Sequence, residues 1–127
     1  MQISVIIPNW NGMKFIGMCL DSLNQSDFCS YEVIVIDNGS VDGSREMIEK
    51  DYPLVHLIKN PKNMGFAVAC NQGIKAAKGK YISLLNNDIE VESNWLTNLY
   101  EGMERHPECG MGTTKMMFLD QRDVFYN

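Results

Sequence analysis

The sequence predicts an α/β fold, a mostly parallel sheet with helices on both faces. Three observations carry this expectation. Strand-like and helix-like apolar patterns alternate strictly along the chain, an order that needs crossover connections and therefore parallel strands. The 127 residues are 45% hydrophobic and 21% charged, enough to bury a core and the right size for one domain or one lobe of a larger one. Finally, Asn and Asp cluster just after three of the strand-like runs, where a parallel sheet would place all three clusters on one edge.

The elements follow in order. Ile3 to Ile7 is a β-branched run that Pro8 is expected to close. Phe15 to Leu23 carries apolar residues at 15, 16, 19, 20 and 23, a helical stripe. Tyr31 to Ile36 reads as the second strand and runs into Asp37-Asn38-Gly39-Ser40. Asp42-Gly43-Ser44 opens a short helix with Met47 and Ile48 inward and Pro53 beyond its end. Val55 to Ile58 is the third strand, and Asn60-Pro61-Lys62-Asn63 is a turn cluster. Gly65 to Ala77 is a helix with a slim Ala, Val and Cys face, for which Gly79 would serve as C-cap. Tyr81 to Leu85 is the fourth strand and ends at Asn86-Asn87-Asp88. A last helix spans about Asn94 to His106, with Ser93 as its expected N-cap. The tail ends on Val124-Phe125-Tyr126 without a terminating signal, which reads as a cut through a longer protein.

Composition removes several function classes. The net charge is -5 with no Lys/Arg cluster, which argues against nucleic acid and anionic membranes as partners. No apolar stretch approaches a membrane span and no signal peptide is present, so a cytoplasmic setting is expected, at most beside the inner membrane face through other parts or partners. Cys19, Cys29, Cys70 and Cys109 show no metal spacing, and reduced thiols are expected. Neither G-x-x-x-x-G-K-[ST] nor G-x-G-x-x-G occurs, which sets aside P-loop and dinucleotide sites.

The three clusters remain. Any one of them is ordinary turn chemistry, since Asn, Asp and Gly are what turns use. Three on one edge point instead to a ligand crevice. Asp88 offers a carboxylate to a hard cation such as Mg²⁺ or Mn²⁺, and otherwise caps its turn. Asn86, two residues away, faces the same side if strand geometry persists. Trp10 suits stacking on a planar base but also suits a partly buried core, and residue type leaves both open. Asp37 suits a base N–H or an Asx-turn, and the helix opening at Gly65-Phe66-Ala67 is only a weak phosphate signal.

Taken together, S-V-I-I-P-N-W-N-G, Y-E-V-I-V-I-D-N-G-S-V-D-G-S, N-M-G-F-A-V-A-C-N-Q-G-I and Y-I-S-L-L-N-N-D resemble family-two glycosyltransferases. The likeness spans residues 3 to about 119. It implies a Rossmann-like GT-A fold and an inverting transfer from a nucleotide-diphosphate sugar, UDP- or dTDP-linked, to the hydroxyl of a glycan or lipid-linked acceptor. Such chemistry serves bacterial-type polysaccharide or glycan synthesis. Position by position, Pro8, Trp10 and Asn11 match the first nucleotide loop, Asp37 the base-binding acid and Asn71 a polar residue near the nucleotide. Asn86 and Asp88 match the D-x-D element, with Asp88 as ligand of Mg²⁺ or Mn²⁺. Asn86 in place of the first acid resembles a rhamnosyltransferase-like branch, and Cys70 stands where a basic residue often precedes Asn71.

Residues 1–127 would then be the donor-binding part, with the acceptor part absent and the catalytic base beyond residue 127. Asp120 and Asp123 follow the fourth strand too closely to supply it. Two other classes compete, a non-catalytic nucleotide- or glycan-binding module and a receiver-type signalling domain. The second needs an acidic pair after the first strand, where Asn9-Trp10-Asn11 has none.

Overall fold

A computed structural model describes residues 1–118 and 121–125. Four parallel strands form the main sheet in the order β3-β2-β1-β4: β1 (Ile3–Asn9), β2 (Tyr31–Asp37), β3 (His56–Lys59) and β4 (Tyr81–Leu84). Between and after them come α1 (Ile16–Asn24), α2 (Ser44–Asp51), α3 (Phe66–Ala76) and α4 (Trp95–Arg105). The short segments β5 (Met117–Phe118) and β6 (Gln121–Phe125) pair antiparallel in a separate sheet. Asp123 falls in β6, and Asp120 lies outside the described residues.

The two faces of the sheet are covered unequally. Ile3, Val5 and Ile7 of β1 pack with Val33 and Val35 against Ile16, Cys19, Leu20 and Leu23 of α1, Ile48 of α2 and Leu96 of α4. The other face presents Ile6, Ile34 and Ile36 to α3, whose contribution is the small Ala69. Gly73 allows this close seating, because a Cβ there would lie 2.8 Å from Ile36 Cδ1 and nearer still to Ile6. The slim face of this helix is therefore a fitting requirement of the sheet.

β1 continues through Pro8 to Asn9, one residue past Pro8, where the sequence expectation stopped it. In a parallel strand, alternate residues bond alternate neighbours. Ile6 faces β4, its carbonyl accepting from Leu85 N, so Pro8 faces β4 as well. β4 has already ended, and the missing N–H of Pro8 costs no ladder bond. The third strand begins one residue later than expected, at His56.

Two end signals are also corrected. Asn94, without a side-chain cap bond, precedes α4, while the Ser93 carbonyl accepts from Asp27 N. Gly79 is not a left-handed C-cap, since α3 ends at Ala76 with Ala77 extended. It is a close-approach glycine: a Cβ there would lie 2.5 Å from Ser4 N.

Below it, at the sheet edge where the strands begin, Ser4 Oγ and Lys78 N both donate to Glu32 Oε1, at 2.6 and 2.7 Å. Partial burial would raise the Glu32 pKa, but these hydrogen bonds outweigh it and hold the carboxyl below its ordinary value. Its folded-state value is the lower one, so its contribution to stability is complete above the ordinary 4.5 and is lost as pH falls through the folded value. Glu32→Gln should therefore flatten the acid limb of a melting-temperature profile. An identical acid slope in both proteins would refute this role.

Candidate functional site

The carboxyl ends of β1, β2 and β4 share one edge, and there a pocket of about 360 Å³ opens. It is lined by Pro8, Asn9, Trp10, Asn38, Asn63, Phe66, Asn86, Asn87 and Asp88. Five amides, two aromatics and one carboxylate thus face it, with no cationic side chain. Register explains the assembly. Asn9 is the sheet partner of Asp37, and β4 stops at Leu84 beside Ile6, which leaves Asn86-Asn87-Asp88 next to the end of β1.

Asn9 is the hub of this edge and was not singled out from sequence. It is buried, and its Nδ2 lies 3.0 Å from Ser44 Oγ, 3.2 Å from Asp37 Oδ1 and 3.3 Å from Ser40 Oγ. Two hydrogens serve three acceptors, so two are satisfied at a time. Its Oδ1 accepts from Asn87 Nδ2 at 2.9 Å. One amide therefore ties the loops after all three strands together. Gly12 is required beside it, because a Cβ there would overlap both Asn9 Oδ1 and Asn87 Nδ2.

A second amide chain holds the start of α3. Asn60 and Gln72 exchange hydrogen bonds of 2.8 and 2.9 Å, and Asn60 Nδ2 also donates to Asn38 Oδ1. Asn38 Nδ2 in turn donates to Gly65 O at 3.2 Å.

Of the residues singled out from sequence, Pro8, Trp10, Asn86 and Asp88 line the pocket, and Trp10 is more than half exposed rather than a core residue. Three do not line it. Asn11 turns to the neighbouring loop, its N donating to Ser40 Oγ and its Oδ1 accepting from Val41 N, with a left-handed φ of 49°. Asp37 is fully buried, one oxygen accepting from Asn9 and the other from Ser40 N, an Asx-type arrangement. Asn71 is exposed on α3 and is not among the lining residues.

Asp88 is exposed and its carboxylate accepts no hydrogen bond from the described residues. Burial pushes the nearby Cys19 thiol up to about 12, with the Asp88 charge adding to the shift, so it stays protonated and can donate to Asn86 O at 3.7 Å. No group of three or more acidic, His or Cys residues that could hold a metal occurs among the described residues. A cation held here would rest on Asp88 and a ligand, with Asn86 beside it. That donor set fits Mg²⁺ or Mn²⁺, which bind through one or two carboxylates plus substrate phosphates. A second hollow, about 420 Å³ along α1, lies off the strand ends, and its Asp21 already accepts from Tyr52.

The sequence profile described as Glycosyl transferase family 2 matches residues 4–121. The chain belongs to glycosyl transferase family 2. This family-2 chain is 30% identical over 105 residues to glycosyltransferase GlyG of Streptococcus pneumoniae, covering 80% of this chain and 35% of GlyG. It is 37% identical over 102 residues to the cholesterol galactosyltransferase of Borreliella burgdorferi, covering 78% of this chain and 28% of that one. Among solved structures, S. aureus TarS 1-349 in complex with UDP-GlcNAc aligns with a TM-score of 0.78 at 26% identity, covering 94% of this chain and 38% of TarS. The fold is thus GT-A-like, and the chain spans less than half the length of these curated relatives, from 18% to 41%. Family membership displaces the receiver-type reading, as does the buried Asp37. No helix among the described residues is long and apolar enough to cross a membrane.

Proposed function

We propose that this chain is the donor-binding part of an inverting glycosyltransferase. It would hold a UDP- or dTDP-linked sugar for transfer to the hydroxyl of a glycan or lipid-linked acceptor. The observation that carries this reading is the composition of the pocket: stacking surface and amides for a nucleoside, one free carboxylate, and no cationic side chain. An anionic diphosphate beside Asp88 in a chain of net charge -5 needs a counter-charge. Asp88, with Asn86 beside it, would hold Mg²⁺ or Mn²⁺, which when bound neutralises the diphosphate and improves it as a leaving group.

The chain's own residues do the rest. Trp10 stacks on the base, the amides orient the ribose and phosphates, and the Asn9–Asn87 bond keeps the metal loop aligned with the nucleoside loop. In the transfer, the acceptor oxygen attacks the anomeric carbon, the bond to the diphosphate breaks, and the acceptor proton passes to a general base. Asp88 is committed to the cation, so on this reading the base is a different carboxylate. UDP-GlcNAc bound to TarS supports a UDP-linked donor, and the galactosyl transfer named for the Borreliella relative supports a hexose. Asn86 keeps a dTDP-linked rhamnosyl donor in play.

A thermal-shift comparison of UDP, dTDP, GDP and ADP, each with and without Mn²⁺, tests the reading. UDP or dTDP should stabilise the chain only with the cation, by about 2.7 kcal/mol at a hundredfold excess over Kd. No shift with any nucleotide would overturn it.

A further inference from the structure

We infer that Phe66 is a second aromatic wall of the base site, working with Trp10 on a nucleobase. This rests on the nucleotide-sugar reading above and adds a residue that sets its affinity. Trp10, Phe15 and Phe66 are the exposed large aromatics among the described side chains, and two of these three line the same pocket. Phe66 is 60% exposed, so its ring gains little from folding. The inward face of α3 is carried instead by Ala69, Cys70 and Gly73.

The chain nevertheless fixes the position of this ring closely. Gly65, at φ 88°, makes the turn into α3, its N held by Asn63 Oδ1 at 2.9 Å and its carbonyl by Asn38 Nδ2. Asn38 is itself anchored through Asn60 to Gln72 on the same helix. Trp10 is set through the same Asn38, being flanked by Asn9 O, which accepts from Asn38 N, and by Asn11 N, which donates to Ser40 Oγ. Two ring systems on anchored backbone, beside the amides of Asn38 and Asn63, match a flat heterocycle with polar edges, and a phosphate has no use for them.

Calorimetry on the full chain with UDP and with pyrophosphate, both in Mn²⁺, tests this. Phe66→Ala should weaken UDP on the order of tenfold, Phe66→Tyr should restore it, and Mn²⁺-pyrophosphate binding should not change. If UDP binds the wild type and Phe66→Ala equally while Trp10→Ala weakens it, the inference fails and the nucleotide reading stands. An equal loss for UDP and pyrophosphate would assign Phe66 to loop structure and also overturn it. A wild type that binds pyrophosphate but no nucleotide would overturn both.

Discussion

Asp88→Ala is expected to weaken Mn²⁺-dependent binding of UDP or dTDP by about a hundredfold, roughly the 2.7 kcal/mol scale of removing one partner from a strong charge contact. The effect should be large because the pocket holds no second carboxylate and no cationic side chain to take over. The fold should be little disturbed, since the side chain is exposed and accepts no hydrogen bond from the described residues. Calorimetry with Mn²⁺ and with EDTA separates the possibilities. The variant in Mn²⁺ should match the wild type in EDTA. Unchanged affinity under both treatments would remove the metal from Asp88.

Gly12→Ala should do comparable damage by a different route. A single methyl would occupy the space of the Asn9–Asn87 hydrogen bond, so that bond must break or the two loops must move apart. Overpacking and an unsatisfied buried amide each cost about 1–3 kcal/mol. The melting temperature should fall by several degrees and nucleotide affinity should fall with it. Gly102→Ala is the control, because nothing lies within 4 Å of its Cβ and α4 favours alanine there. If Gly12→Ala melts and binds like the wild type, Asn9 is not the link between the loops.

The layout of the chain was legible because period-2 and period-3.6 patterns do not depend on tertiary context. Ile3 to Ile7 and the stripe from Phe15 to Leu23 announce their own partners by burial, and strict alternation then fixes the shared edge. Trp10, Asn86 and Asp88 were legible for a related reason: they sit immediately past strands that end in the open.

What sequence could not supply was direction. Asp37 and Asn38 are neighbours, yet register against β1 turns Asp37 onto Asn9 and leaves Asn38 in the pocket. Asn71 carries a motif position, but which way it faces depends on the rotation of α3, set by how Gly73 seats on Ile6 and Ile36. Asn60 and Gln72 are twelve residues apart, and nothing local marks them as a pair. The signal for Phe66 was present in N-M-G-F, an aromatic at a helix start where no core position calls for one.

β4 is only four residues long and, among the described residues, is bonded to the sheet along one side, with Ile82 and Leu84 left open to solvent. The loop bearing Asp88 therefore hangs from an edge strand, while Trp10 follows β1, which is paired on both sides and almost wholly buried. The two halves of the pocket thus differ in how their strands are supported within the described residues, and the Asn9–Asn87 bond is what joins them. A nucleoside and a metal-bound diphosphate would then be coupled through that one bond.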